Sequence, residues 1–212
     1  MQSNFQPADQ PRSFIETARR AQIIECAIQT IAELGYAQAS LARIAKRAGI
    51  SAGVISYYFA GKDDLIAEVT AHVYEAGGTF IRARLDPSQS ARTTLRAFIE
   101  ANVAYFGVHP ANVIAVMNIV RSGGAGQGGA AYDAAVGEPR RAGIAAILER
   151  GQAAGEFRAF SVPVMVATLV EALDVIPPQL AANPKLDTEA YGRELAELFD
   201  RATRNDPVED VR

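Results

Sequence analysis

Nine side chains between residues 40 and 62 are of types that grip a polyanion without reacting with it. Ser40, Ser51 and Ser56 carry hydroxyls, Tyr57 and Tyr58 carry phenols, Arg43 and Lys62 are cations, and Ala52 and Gly53 are small. Cations and hydroxyls bond phosphate oxygens, and serine also bonds several base edges. An apolar Ala52 or Val54 can meet a thymine methyl, and a small Gly53 lets a helix backbone approach closely. The spacing fits two short helices broken by a tight turn, with these side chains outward on the second. That is the outline of a helix-turn-helix, whose second helix can enter the DNA major groove.

No other constellation carries covalent chemistry. The chain holds no nucleophile–base pair, zinc spacing or paired catalytic carboxylates, and His72 and His109 are unaccompanied. We therefore expect no enzyme, no cofactor and no metal. Gly124 to Gly129 does satisfy G-x-G-x-x-G, behind an apolar Val113–Val120. A dinucleotide fingerprint needs a strand before it and a second strand to close a βαβ unit, and neither is found; a nucleotide-dependent enzyme is the remote rival.

The recognition residues need helices behind them, and helix is almost the only pattern. Ser13 and Glu16 have capping-box spacing, and Ile23, Ile24, Ala27, Ile28, Ile31 and Leu34 recur at three- and four-residue steps until Gly35. Ser40 caps a second helix with Leu41, Ile44, Ala45 and Ala48 inward; Gly49 supplies a positive-φ turn, and Ser51 caps the third. On that third helix Val54 or Ile55, and Tyr58 or Phe59, must face the core. A fourth helix opens at Gly61–Lys62 and runs to about Leu85. Further helices fit Ser90–Gly107, Pro110–Arg121, Ala131–Ala154, Ser161–Ile176 and Thr188–Thr203, with Pro177–Pro178 ending the apolar one. The expected fold is all-α with about nine helices. Its organisation is a polar tail (1–12), a three-helix DNA-binding domain (13–60), a larger helical ligand-binding and dimerisation domain (61–204) and a second tail (205–212).

Charge agrees with an anionic partner at one end. The 212 residues carry a net −3, but residues 12–62 hold seven bases against three acids, so a +4 head sits on a −7 body. Neither a signal peptide nor an apolar run of membrane-spanning length is visible, and the single Cys26 reads as a small filler in a reducing cytoplasm.

With Leu41, Ile44, Ala45, Ala48-Gly49-Ile50-Ser51, Gly53, Ile55, Tyr57, Phe59, Lys62 and Leu65 in place, residues 17–66 resemble the tetracycline-repressor (TetR) family of bacterial transcription regulators. The resemblance implies a homodimer on a double-stranded DNA operator, with a helical body that binds a small-molecule effector and then releases the DNA. It also implies that Tyr57 lies against the sugar–phosphate backbone and Lys62 contacts phosphate. Ser40 and Arg43, at the start of helix two, are placed for phosphate as well. Ser56 departs from the family pattern, where an aromatic is usual.

Two heads reading one palindrome need recognition helices about 34–36 Å apart, so the dimer interface is part of the mechanism. Ser161–Ile176 is apolar nearly all round and should pair with Thr188–Thr203 across subunits, through Met165, Leu169, Leu173, Tyr191, Leu195, Leu198 and Phe199. For the effector, polar groups embedded in apolar helices offer Asn102, Tyr105, Asn118 and Arg121, with Phe106 and Met117 as an apolar wall. An inward Arg121 would favour an anionic or carbonyl-bearing ligand. A dimeric regulator that answers to no effector is the alternative.

Overall fold

Isoleucines spaced three and four apart build the first helix, α1 (Phe14–Leu34), and bury Ile23, Ile24, Ala27, Ile28 and Ile31 along one stripe. A computed structural model describes residues 14–123 and 137–205, and all positions below lie in these ranges. Ser13 of the expected capping box, the Gly124–Gly129 loop and most of both tails lie outside them. The Gly35 N–H closes α1 on the Ile31 carbonyl at 2.9 Å.

Ser40 caps α2 (Leu41–Ala48), its Oγ accepting the Arg43 N–H at 3.3 Å. Gly49 then takes φ +67°, a left-handed conformation that glycine adopts without a Cβ clash, and turns the chain into α3 (Ala52–Tyr58). Ser51 holds the N-cap position of α3, but its side chain makes no capping bond. The expected cap is therefore absent, because the α3 turn is closed by the Ser51 carbonyl accepting from Val54 N–H at 3.1 Å.

The body consists of α4 (Lys62–Arg82), α5 (Ala91–Val108), α6 (Pro110–Arg121), α7 (Glu138–Ala153), α8 (Val162–Asp174), α9 (Ile176–Ala182) and α10 (Thr188–Thr203). These make ten helices among the described residues, α8 and α9 being parted only by Val175. The chain turns by 96° between α5 and α6, where Pro110 occupies the first turn. Pro177 and Pro178 open α9 instead of ending a helix. A first-turn proline lacks only an N–H that would have no intrahelical partner, so the pair starts one helix as readily as it stops another. The α8–α9 run, Val162–Ala182, is long and apolar enough by composition to cross a membrane, with mean hydropathy 1.4. Here Leu169, Leu173, Ile176 and Leu180 are buried in the protein's own core.

Two cores form. One takes the stripes of α1, α2 and α3, the first half of α4 and, from α6, Ala115, Val116 and Ile119. The other joins α5, α7, α8, α9 and α10 through Ile99, Val103, Ile144, Leu148, Leu169 and Phe199. Each fully buried Ile or Leu contributes about 1.5–3 kcal/mol of transfer free energy, so the α6 residues are a substantial part of the first core. The expected boundary near residue 60 therefore does not coincide with a gap in packing. Helices α5 and α10 are further joined by Arg92 to Asp200, at 2.5 and 2.7 Å, and by Arg96 to Glu197 at 3.2 Å.

Candidate nucleic-acid interface

Helix α3 is too short to hold itself, and two side chains anchor it. Ile55 is 0% exposed and Phe59, just past its end, 2%, which settles the inward pair. Ser51, Ala52, Gly53, Ser56 and Tyr57 are left on the outer surface, Val54 being half-buried. Tyr57 is 74% exposed, an unusual position for an aromatic ring unless something packs against it. Ser56 Oγ donates to the Ala52 carbonyl at 3.3 Å, a weak bond that a better acceptor can replace. The outer face thus offers small groups and hydroxyls over two turns, flanked by one phenol.

Tyr58, expected to face DNA as well, is half-buried. Its ring meets that of Tyr57 edge-on at 5.0 Å and packs on the first core. It supports the Tyr57 ring and its backbone carbonyl is occupied by Arg20.

The cations around α3 are all in use except one. Arg43 donates from Nη1 to the Gln38 carbonyl and Oε1, both at 3.0 Å, and stays on the surface. Arg47 forms an ion pair with Glu33. Lys62 Nζ donates to the Tyr36 carbonyl at 2.9 Å and sits 4.1 Å from the Tyr36 ring centroid. Partial burial lowers its pKa, while Asp63 acts in the opposite direction. An ammonium has three donors, so one bond to Tyr36 leaves two for an oxyanion. Arg19 donates to Gln22, and among the described cations of residues 14–62 Lys46 alone has no hydrogen bond or ion pair. The net +4 of this end already counts Glu33, and hydrogen bonds to neutral groups leave the remaining charge in place.

Sequence reasoning counted Arg20 only as charge. In the structure its Nη1 donates to the Tyr58 carbonyl at 2.6 Å, its Nη2 pairs with Glu68 of α4 at 2.7 Å, and its guanidinium lies 4.3 Å from the Phe59 ring centroid. Nothing in residue spacing announces contacts across 38 and 48 positions.

The six residues expected around an effector lie on α5 and α6, and the polar ones are bonded within the protein or exposed. Asn102 Nδ2 donates to the Phe98 carbonyl of its own helix at 2.8 Å. Tyr105 Oη donates to the Val73 carbonyl at 3.0 Å and accepts from Asn112 at 3.2 Å, tying α4, α5 and α6 together. Burial raises the Tyr105 pKa, which keeps it a neutral donor. Phe106 belongs to the second core, and Met117 is half-buried. Asn118 Nδ2 reaches across to the Ile31 carbonyl of α1 at 3.0 Å, and Arg121 is exposed. A polar group on a buried helix face needs a partner, and backbone carbonyls are the nearest acceptors.

The expected dimer residues also divide. Leu169, Leu173 and Phe199 are buried within the protomer and have no surface to offer. Tyr191, Leu195 and Leu198 line an open groove of about 650 Å³ along α10, with Leu198 59% exposed, while Met165 is half-buried on α8. No group of three His, Cys, Asp or Glu able to hold a metal occurs among the described residues.

Comparisons with known proteins agree on the class of molecule. The family model described as bacterial regulatory proteins, tetR family, matches residues 23–69. The HTH-type transcriptional regulator BetI 1 of Chromohalobacter salexigens is 41% identical over 93 residues, which are 43% of this chain and 46% of that protein. BetI of Stenotrophomonas maltophilia is 39% identical over 93 residues, 43% of this chain and 47% of its own length. The chain thus matches about half the length of these relatives. Among solved structures, the ketosteroid transcriptional regulator KstR2 of Mycobacterium tuberculosis superposes with a TM-score of 0.75 at 20% identity, covering 94% of this chain and 99% of that one. The fatty acid degradation regulator FadR of Bacillus halodurans gives 0.74 at 21% identity, covering 91% and 96%. At such identities the likeness is one of fold, and it extends over both cores.

Proposed function

We propose, on the match of residues 23–69 to the tetR family of bacterial regulatory proteins, that this chain is a cytoplasmic repressor binding a palindromic operator as a homodimer. The observation that carries this reading is the outer face of α3. Ser51, Ala52, Gly53, Ser56 and Tyr57 stand free over a helix that Ile55 and Phe59 hold fast. Base edges meet Ser51 to Ser56, while Ser40, Arg43, Tyr57 and Lys62 grip phosphate. The α10 groove around Tyr191, Leu195 and Leu198 takes a second copy, which sets the distance between heads.

A small-molecule effector bound in the body releases the DNA. Helix α6 supports this part of the reading, since it packs in the first core, bonds α1 through Asn118 and joins α5 at the 96° corner. A displacement of the body therefore reaches α1 mechanically. The internal use of Asn102, Tyr105 and Asn118 favours a second reading, a dimeric regulator without an effector.

Selection of duplexes from a random-sequence library tests the DNA reading. The expected result is a palindromic consensus whose binding weakens steeply with salt; recovery of no consensus would overturn it. Screening small molecules for release of that DNA then separates the two regulatory readings.

A further inference from the structure

A recognition helix of seven residues has little rigidity of its own, and its last carbonyls need partners. At the end of α3 the Tyr58 carbonyl is held by Arg20, whose side chain is only 13% exposed. The same guanidinium pairs with Glu68 of α4 and stacks on Phe59, the residue that anchors the end of α3. One planar group therefore fixes three things at once: the C-terminal end of α3, the ring beneath it and the adjacent turn of α4. A cation at a helix C-terminus also meets the negative end of the helix dipole. Both of its terminal nitrogens bond inside the protein and one face lies on Phe59, so the largely buried guanidinium is poorly placed to take a phosphate.

We propose that Arg20 is a positioning residue for DNA reading, setting the orientation of α3 relative to α4 and thereby the sequence selectivity, without itself contacting DNA. Glu68 is the second half of the device. Because it stands on α4, a shift of α4 is transmitted through Arg20 to the end of α3. This inference rests on the DNA-binding reading above.

The test uses the full chain and two duplexes: the sequence that the unaltered protein selects from a random library, and a scrambled duplex of equal length. Arg20→Ala should weaken binding to the selected sequence about tenfold, the scale of one lost base contact. Affinity for the scrambled duplex, and its salt dependence, should stay as they were. Glu68→Gln should lower selectivity in the same direction by less, with a melting temperature near that of the unaltered protein, and Arg20→Lys should fall between the unaltered protein and Arg20→Ala. Equal losses on both duplexes with a shallower salt dependence would make Arg20 a phosphate contact and overturn the proposal. A lowered melting temperature with unchanged selectivity in Arg20→Ala and Glu68→Gln would reduce it to a structural role, also overturning it. Should Arg20→Ala not fold, Glu68→Gln and Arg20→Lys decide by the same criteria. Should no sequence be selected at all, the DNA reading fails separately. Amide hydrogen exchange over residues 52–59 then decides: faster exchange in Glu68→Gln supports the brace, and unchanged exchange removes it.

Discussion

As proposed DNA contacts, Lys62 and Ser56 would make different demands on the duplex, and each can be tested alone. A phosphate contact is blind to sequence, so Lys62→Ala should weaken binding to every duplex and reduce the salt slope by about one. Part of that loss will come from the Tyr36 brace, whose cation–π contact and hydrogen bond disappear with the ammonium. Fluorescence anisotropy over a range of salt concentrations measures both effects; an unchanged salt slope would remove Lys62 from the phosphate set. Ser56→Ala removes only a hydroxyl on an exposed face. It should change base preference at one or two positions of each half-site and leave the salt slope unaltered, as read by repeating the library selection with the variant. Tyr57 and Tyr58 show why neighbouring identical residues differ: a 100° step along the helix puts one ring on the surface and the other against the core.

At the scale of elements, two short segments depend on single residues. Helix α3 hangs on Ile55, so Ile55→Ala should cost about 2–5 kcal/mol in denaturant unfolding and abolish operator binding at temperatures where the rest of the protein remains folded. The α7–α8 connection depends on Gly151. A Cβ there would clash with Cδ2 of the Phe157 ring, which belongs to the second core and cannot move outward without opening it. Gly151→Ala should therefore destabilise by about 1–3 kcal/mol, visible as a lowered melting temperature. Glycine at this site is a matter of space, in contrast to Gly49, where a positive φ requires it.

For the whole molecule, pH and assembly are the useful variables. The Glu156 carboxylate accepts the N–H groups of Arg92 and Ala91 at the start of α5, which holds its pKa below the usual range. Hydrogen bonds from Arg92 do the same for the buried Asp200. Each folded pKa lies below its unfolded value. The stability they contribute is therefore fully present above the ordinary carboxylate range, near roughly pH 4, and is lost as pH falls through the depressed values. Glu156→Gln should flatten the acid limb of a stability–pH curve measured by urea unfolding. Assembly should respond to Leu198: Leu198→Glu places a charge in the α10 groove and should yield monomers by sedimentation, with the second core intact because Leu198 is not part of it.

Most of the helices, the turn at Gly49 and the outward Ser51, Ala52, Gly53, Ser56 and Tyr57 of α3 were legible in the sequence, because each follows from local periodicity, capping chemistry and steric freedom within a few residues; α9 was missed, its prolines reading as a stop. The same local requirements, at fixed spacing from Leu41 to Leu65, carried the resemblance to the tetR family. Only the tertiary structure decided which apolar faces were already covered. Leu169, Leu173 and Phe199 look like interface residues along their helices, yet α5 and its neighbours bury them within one protomer. It also decided where polar groups found partners, sending Asn118 to α1 and Arg20 to α3 and α4. Such contacts join residues tens of positions apart, and apart from Glu68 their partners are backbone carbonyls, which every residue carries and no side-chain pattern can announce.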